Sequence, residues 1–243
     1  MKNINLSCLD KFKGGKYEIP IQLDISAEGK DTIKTHADAA GVDVSKYMRC
    51  CAVSPETFII VDPDGDAARQ LIELNDNLCC YLRERNLSDE DVQRLITRVN
   101  NVQQYMETIV VQLPEPTTAQ GCEETAVVES AMKTAHIQFK VNEALREFIE
   151  IKAEAVDMSI SKFLRVSALA AEPVYILGKA RWVAKNVVLL QDNVNDLKTN
   201  GLIDAKQHLI LHRKCADIYN TFIELAQRLT DISTIDNGFS EEV

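Results

Sequence analysis

The sequence lacks the features that build a secreted, membrane-spanning or zinc-clustered protein. It has no C-x-x-C pair. Its seven cysteines, Cys8, Cys50, Cys51, Cys79, Cys80, Cys122 and Cys215, are odd in number and include two adjacent pairs. That pattern excludes a zinc ribbon and a disulfide framework, and a reducing cytoplasm is the simple reading. No apolar run approaches the length needed to span a membrane. The opening residues, Met1-Lys2-Asn3-Ile4-Asn5, lack the apolar stretch of a signal peptide. Aromatic residues make up only 6% of the chain and prolines number six, which favours helices. No glycine loop is present to cradle a phosphate, and no nucleophile stands beside a convincing base. Neither enzymatic chemistry nor a cofactor is expected.

An excess of positive charge is absent as well. The formal net charge is −10 and the pI is near 5.0, which argues against non-specific coating of nucleic acid. The acidity is unevenly spread. Residues 1–56 carry eight basic and eight acidic side chains, and residues 133–172 carry six of each. Residues 57–115 carry five basic and eleven acidic, so much of the negative charge lies outside those two neutral stretches.

What the chain does have is an internal repeat. Pro20 to Val53 aligns without a gap with His136 to Leu169, 116 residues later, and nine of the 34 paired positions are identical. The identities include Gln22/Gln138, Ile33/Ile149, Ser45/Ser161, Lys46/Lys162 and Arg49/Arg165. Two copies of one folding unit are the first hypothesis.

Each copy opens with a period-two alternation, Ile21-Gln22-Leu23-Asp24-Ile25 and Ile137-Gln138-Phe139-Lys140-Val141, the signature of a half-buried strand. Ser26 and Asn142 follow as helix N-cap candidates. Short amphipathic helices are predicted over 27–40 and 143–156, and Gly41 ends the first as a C′ residue. A second helix starts behind Asp43 or Ser159. Further on, Ala67, Leu71, Leu74, Leu78 and Tyr81 pair at the same offset with Val183, Val187, Leu190, Val194 and Leu197, a coiled-coil-like 4-3 seam. After a turn near Asn86 or at Asn200-Gly201, a fourth helix carries Val92, Leu95, Val99, Val102, Met106 and Ile109 in copy one. Copy two has Leu211, Cys215, Ile218, Phe222, Leu225 and Leu229.

The expected organisation is mainly α. A flexible basic arm over 1–18, with Lys11, Lys13 and Lys16, precedes a first unit at 19–113. A linker at 114–134, a second unit at 135–232 and a polar tail at 233–243 complete the chain. Each unit reads as strand, helix, helix, then a long antiparallel helical hairpin.

A strand followed by two short helices, the second opening with a cap and S-K-[YF]-[ML]-R, resembles the ribbon–helix–helix family. The likeness rests on Ile21–Val53 and Ile137–Leu169. It implies two ribbon–helix–helix units in tandem, their strands pairing into an antiparallel ribbon that enters the major groove of double-stranded DNA. The stretches Leu71–Leu78 and Val187–Val194, each with an Asn-containing core and a following hairpin, are similar to plasmid mobilisation accessory proteins of the MobC-like relaxosome family. That resemblance implies a partner relaxase and binding near a transfer origin. The chain departs from the pattern by being a tandem fusion, by its acidity and by a weak Asn-rich segment. It also lacks the compact histidine cluster that a relaxase nuclease itself needs.

The candidate base-contacting residues are those expected to face outward from the strands: Gln22, Asp24, His136, Gln138 and Lys140. Gln pairs bidentately with adenine, Lys donates to guanine and Asp accepts from cytosine. A solvated polar strand face is the competing reading. Candidate phosphate contacts are Ser45, Lys46, Ser161 and Lys162 at the second-helix N-termini, with Arg49 and Arg165 a turn further on and the arm lysines. Ordinary capping by Asp43 and Ser159, and ion pairing of the arginines, compete with that role. His208, His212 and Cys215 share a helix face, but with no fourth ligand a structural role is favoured over a metal site. Two other functions stay open: a transcriptional repressor of the same fold, and a protein–protein assembly factor with vestigial DNA binding. Whether the strands pair within or between chains, and so whether the protein is a homo-oligomer, is left open by the sequence.

Overall fold

The computed structural model describes residues 6–12, 14–54, 57–115 and 135–230. Lys13, Cys122, the linker residues 116–134 and the tail at 233–243 lie outside the described residues. The described chain is mainly helical. A 3-10 helix, Leu6–Phe12, precedes β1 (Ile19–Ile25), α1 (Ala27–Ala39), α2 (Val44–Val53), β2 (Phe58–Val61), α3 (Asp66–Glu84) and α4 (Asp89–Val111). The second half runs β3 (Ala135–Val141), α5 (Glu143–Ala155), α6 (Ile160–Leu169), β4 (Val174–Leu177), α7 (Ala180–Thr199) and α8 (Ala205–Arg228). No described helix is long and apolar enough to cross a membrane.

The compact units cut across the sequence halves. One unit gathers the described residues up to Ile59, those from Ala135 to Tyr175, and Thr230. The other takes Ile60 to Glu115 and Ile176 to Leu229. The strand–helix–helix segments of both copies therefore fold together, and so do both hairpins. The cause is physical: a single strand, like a single two-helix hairpin, leaves one face uncovered.

In the first unit β1 and β3 pair antiparallel within the one chain, from Ile19 opposite Val141 to Ile25 opposite Ala135. A lone strand must find a partner for its backbone N–H and C=O groups, and the repeat supplies one. The register sets Gln22 opposite Gln138. These two are also repeat equivalents, so the local two-fold axis passes between them. Leu23, Ile25, Ile137, Phe139 and Val141 are buried on one face of the pair. They meet Ile33 and Ala37 of α1, Tyr47 and Met48 of α2, Leu145 and Ile149 of α5, and Phe163 and Leu164 of α6 in one core. The Tyr47 hydroxyl donates to the Ala168 carbonyl at 3.0 Å, tying α2 to α6.

Equivalent core sites exchange bulk between the copies. Ile25 packs over Gly29, where a Cβ would come within 2.9 Å of the Ile25 side chain. At the equivalent places stand the smaller Val141 and the larger Leu145, both buried. Such compensation keeps the interior close-packed. Gly41 ends α1 at φ +67° and Asp157 ends α5 at φ 53°, both left-handed C′ conformations.

The arm expected to be flexible is folded over its described part. Leu9 is buried, Phe12 meets Phe148 edge-on with ring centroids 5.3 Å apart, and the Asn142 side-chain amide donates to the Phe12 carbonyl. Two apolar side chains among the arm's lysines hold it down.

The second unit is built from two helical hairpins, α3–α4 and α7–α8. Like helices run side by side. Asn75 of α3 donates to the Asn186 carbonyl (2.9 Å) and accepts from Asn193 of α7 (2.8 Å). Gln207 of α8 donates to Asp89 of α4 at 2.9 Å, and Lys214 donates to Asn100. The buried seam of α4 is the expected one. In α8 Thr221 takes a buried place, its hydroxyl donating to the Asp217 carbonyl at 3.0 Å, while Phe222 and the C-cap Leu229 are only half-buried.

Two strands were not foreseen. β2 and β4 form a second two-stranded sheet, with Val174 N–H donating to the Thr57 carbonyl and Gly178 N–H to the Val61 carbonyl. Gly178 is required there: a Cβ would lie 2.1 Å from the Asp62 carbonyl oxygen. Asp62 in turn caps α3, accepting from the Asp66 and Ala67 amides and from the Tyr105 hydroxyl.

Gly178→Ala is expected to destabilise the protein by about 1–3 kcal/mol or more, read as a lowered melting temperature, because a backbone oxygen cannot swing aside. Thiol reactivity offers a second check. Cys50 and Cys215 are buried, and burial is the main force pushing both thiols up to about 12. The weakened acidity keeps both protonated at pH 8. Alkylation of the native protein at that pH is expected to mark exposed Cys79 and to reach Cys50 and Cys215 only after denaturant is added, as mass spectrometry of the peptides would show.

Candidate nucleic-acid interface

The strand pair of the first unit carries the sequence-predicted site. Along both strands inward apolar residues alternate with outward polar ones. Pro20, Gln22, Asp24, His136, Gln138 and Lys140 are all exposed. The register stacks them as three cross-strand pairs: Pro20 with Lys140, Gln22 with Gln138, and Asp24 with His136. The result is a two-residue-wide polar stripe whose centre is the glutamine pair. Side chains on such a stripe stand roughly perpendicular to the sheet, so all six project to one side.

The N-terminus of α6 borders this stripe, and that of α2 is its counterpart under the repeat. Asp43 caps α2 by accepting from the Lys46 amide at 2.8 Å. Ser159 caps α6 through the Lys162 amide at 3.3 Å. Each cap satisfies one amide of its first turn, and the first-turn amides before it have no partner within the helix. Ser45, Lys46, Ser161 and Lys162 are half-buried. Pro20, Gln22, Arg146, Ile160 and Ser161 line one depression between strand and helices. Arg146 is paired there with Glu150 at 2.9 Å. The depression brings Gln22, a base-facing candidate of the first copy, together with Ser161, an anion-facing candidate of the second. Asp43 sets the acidic cap of the first copy apart from the neutral Ser159 of the second.

Arg49 and Arg165 have a different place from the one expected of phosphate ligands. Arg49 of α2 donates to the Lys140 carbonyl of β3 at 3.0 Å and stacks over the Tyr17 ring at 4.6 Å. Arg165 of α6 donates to the Asp24 carbonyl of β1 at 3.2 Å, and is 5% exposed. The two bonds are images of each other under the repeat. Each copy's second helix thus grips the other copy's strand. Arginine suits this because its fixed fork reaches a carbonyl while the aliphatic stem stays in the core. No local signal could have revealed it, since the partners are 91 and 141 residues away in sequence.

Lys11 and Lys16 are exposed beside the folded arm. In the second unit, His208 and His212 lie with ring centroids 5.5 Å apart, and His208 Nε2 is 3.0 Å from the Asn195 side-chain oxygen. Cys215 is turned into the core. No group of three possible metal ligands is present among the described residues.

Comparison with protein-family models, curated proteins and solved structures gives no match.

The structure also contains features the sequence reading passed over. Asn186 is buried and completes a network with Asn75 and Asn193. On α7 and α8, Trp182, Val188, Leu189, Leu209, Tyr219 and Ile223 are exposed.

The clamps can be tested directly. Arg165→Ala is expected to cost about 1.5–3 kcal/mol, because a charge-assisted bond is lost in a nearly dry place; Arg49→Ala, half-exposed, should cost nearer to about 1 kcal/mol. Urea denaturation midpoints would show the difference, and equal values would contradict the assignment.

Proposed function

We propose that the chain is a sequence-selective DNA-binding protein in which β1 and β3, with α1–α2 and α5–α6, act as a ribbon–helix–helix pair. The observation that carries this reading is the polar stripe: six outward side chains rich in groups that match base edges, on a two-stranded antiparallel ribbon. A ribbon of that width fits the major groove. The glutamine pair would sit over the centre of the site and read adenine, with Lys140 donating to guanine. At the α6 N-terminus the Ser161 amide and hydroxyl and the Lys162 ammonium would donate to flanking phosphates. The protein would act by docking and local distortion of the duplex, with no chemistry of its own.

Within that reading the relaxosome role is favoured over a repressor. The tandem hairpins resemble those of mobilisation accessory proteins, and exposed apolar side chains on α7 and α8, such as Trp182 and Leu209, are available to a second protein such as a relaxase. Binding would then lie near a transfer origin. A protein–protein assembly role is the reading that the net acidity favours, and it predicts no DNA affinity at all.

Fluorescence anisotropy with transfer-origin duplexes decides among these. Affinity is expected to fall steeply with salt, as phosphate contacts require. Gln138→Ala and Lys140→Ala should each weaken specific binding by about tenfold while leaving non-specific binding nearly unchanged for the glutamine. Absence of any salt-sensitive, sequence-selective binding would sink the proposal. Repression of a reporter without any effect on transfer frequency would select the repressor role.

A further inference from the structure

We propose that the ribbon reads its target in one direction only: its scaffold is two-fold, but its two half-sites take different bases, guanine under Lys140 and cytosine under Asp24. This deepens the DNA-binding reading above and rests on it.

The axis between Gln22 and Gln138 relates Lys140 to Asp24 and Pro20 to His136. The backbone at those image positions is held alike. Arg49 takes the carbonyl of Lys140 and Arg165 takes the carbonyl of Asp24, so both residues are presented from equivalent points. All four outer side chains are exposed. The symmetry is therefore broken in the reading groups and kept in the frame that carries them.

The chemistry of the two ends is opposite. Lys140 is a donor only and matches the N7 and O6 acceptors of guanine; Asp24 is an acceptor and matches the N4 amino group of cytosine. A symmetric reader would meet guanine at both places, one on each strand, which makes an inverted repeat. Exchanging one guanine for cytosine places both guanines on the same strand. The preferred site is then non-palindromic, and the protein lies on it with a fixed polarity. Asp24 also repels nearby phosphates, so the Lys140 end supplies more of the affinity.

The test is selection from random duplexes about two helical turns long, using three full-length proteins: wild type, the double variant P20H/D24K, and the reciprocal H136P/K140D. Each double variant makes the two outer faces identical. Proline is tolerated at position 136 because that position is the image of Pro20. Circular dichroism and melting temperature confirm that each variant is folded. Wild type should select a non-palindromic site and bind an inverted repeat of either half about tenfold or more weakly. P20H/D24K should select the inverted repeat of the Lys140 half, and H136P/K140D that of the Asp24 half. An inverted repeat selected by the wild type, or one unchanged site selected by all three, would overturn directional reading while DNA binding stands. Enrichment of no sequence by any of the three folded proteins would overturn the DNA-binding reading and this inference together.

Discussion

The pairing of β1 with β3 is the constraint on which the rest of the first unit depends. An isolated seven-residue strand is an unsatisfied row of donors and acceptors, and neither copy of the repeat contains a second strand able to cover it locally. Once the two strands join, their inner faces become one apolar floor, and the four helices have a single surface to cover. The arginine clamps follow from the same pairing, since each helix can grip only the strand that the pairing brings beneath it. The exposed stripe follows as well: with period two fixed by the pleat, burying Leu23, Ile137 and Phe139 necessarily turns Gln22, Gln138 and Lys140 outward.

The second unit uses a different bond for a similar purpose. A seam of Leu and Val is permissive about sliding, because one apolar ridge fits the next turn nearly as well. Buried Asn75 and Asn186 and half-buried Asn193 form a hydrogen-bonded set that a slipped register would break. A polar group in such a seam costs stability and supplies alignment. The capping boxes at Ser88 with Asp91 and at Asp204 with Gln207 fix where the returning helices begin.

Much of this was legible in the sequence where the signal is local. Alternation marked both long strands and their inward faces, and Ser26, Asp43, Asn142 and Ser159 marked helix starts that the structure places at those residues. The candidate base-facing residues come out as one stripe because period two needs no tertiary information. Non-local facts were out of reach. The four-residue runs at Phe58 and Val174 are too short for a period to distinguish strand from loop. Arg49 and Arg165 looked like surface cations because their acceptors are carbonyls far away in sequence. The regrouping of halves into mixed units depends on which uncovered faces meet, and a repeat alone does not say that.

The interleaving of the two halves has a consequence for how the protein comes to exist at all. A ribbon assembled from separate subunits must be rebuilt after every dilution, and its apparent affinity for a target carries the subunit dissociation constant within it. With both strands on one chain, closing the intervening loop is an intramolecular event whose entropy cost grows only slowly with loop length. The ribbon is thus complete in every folded molecule, however few there are. Occupancy of any target such a ribbon took would follow the concentration of the protein to the first power.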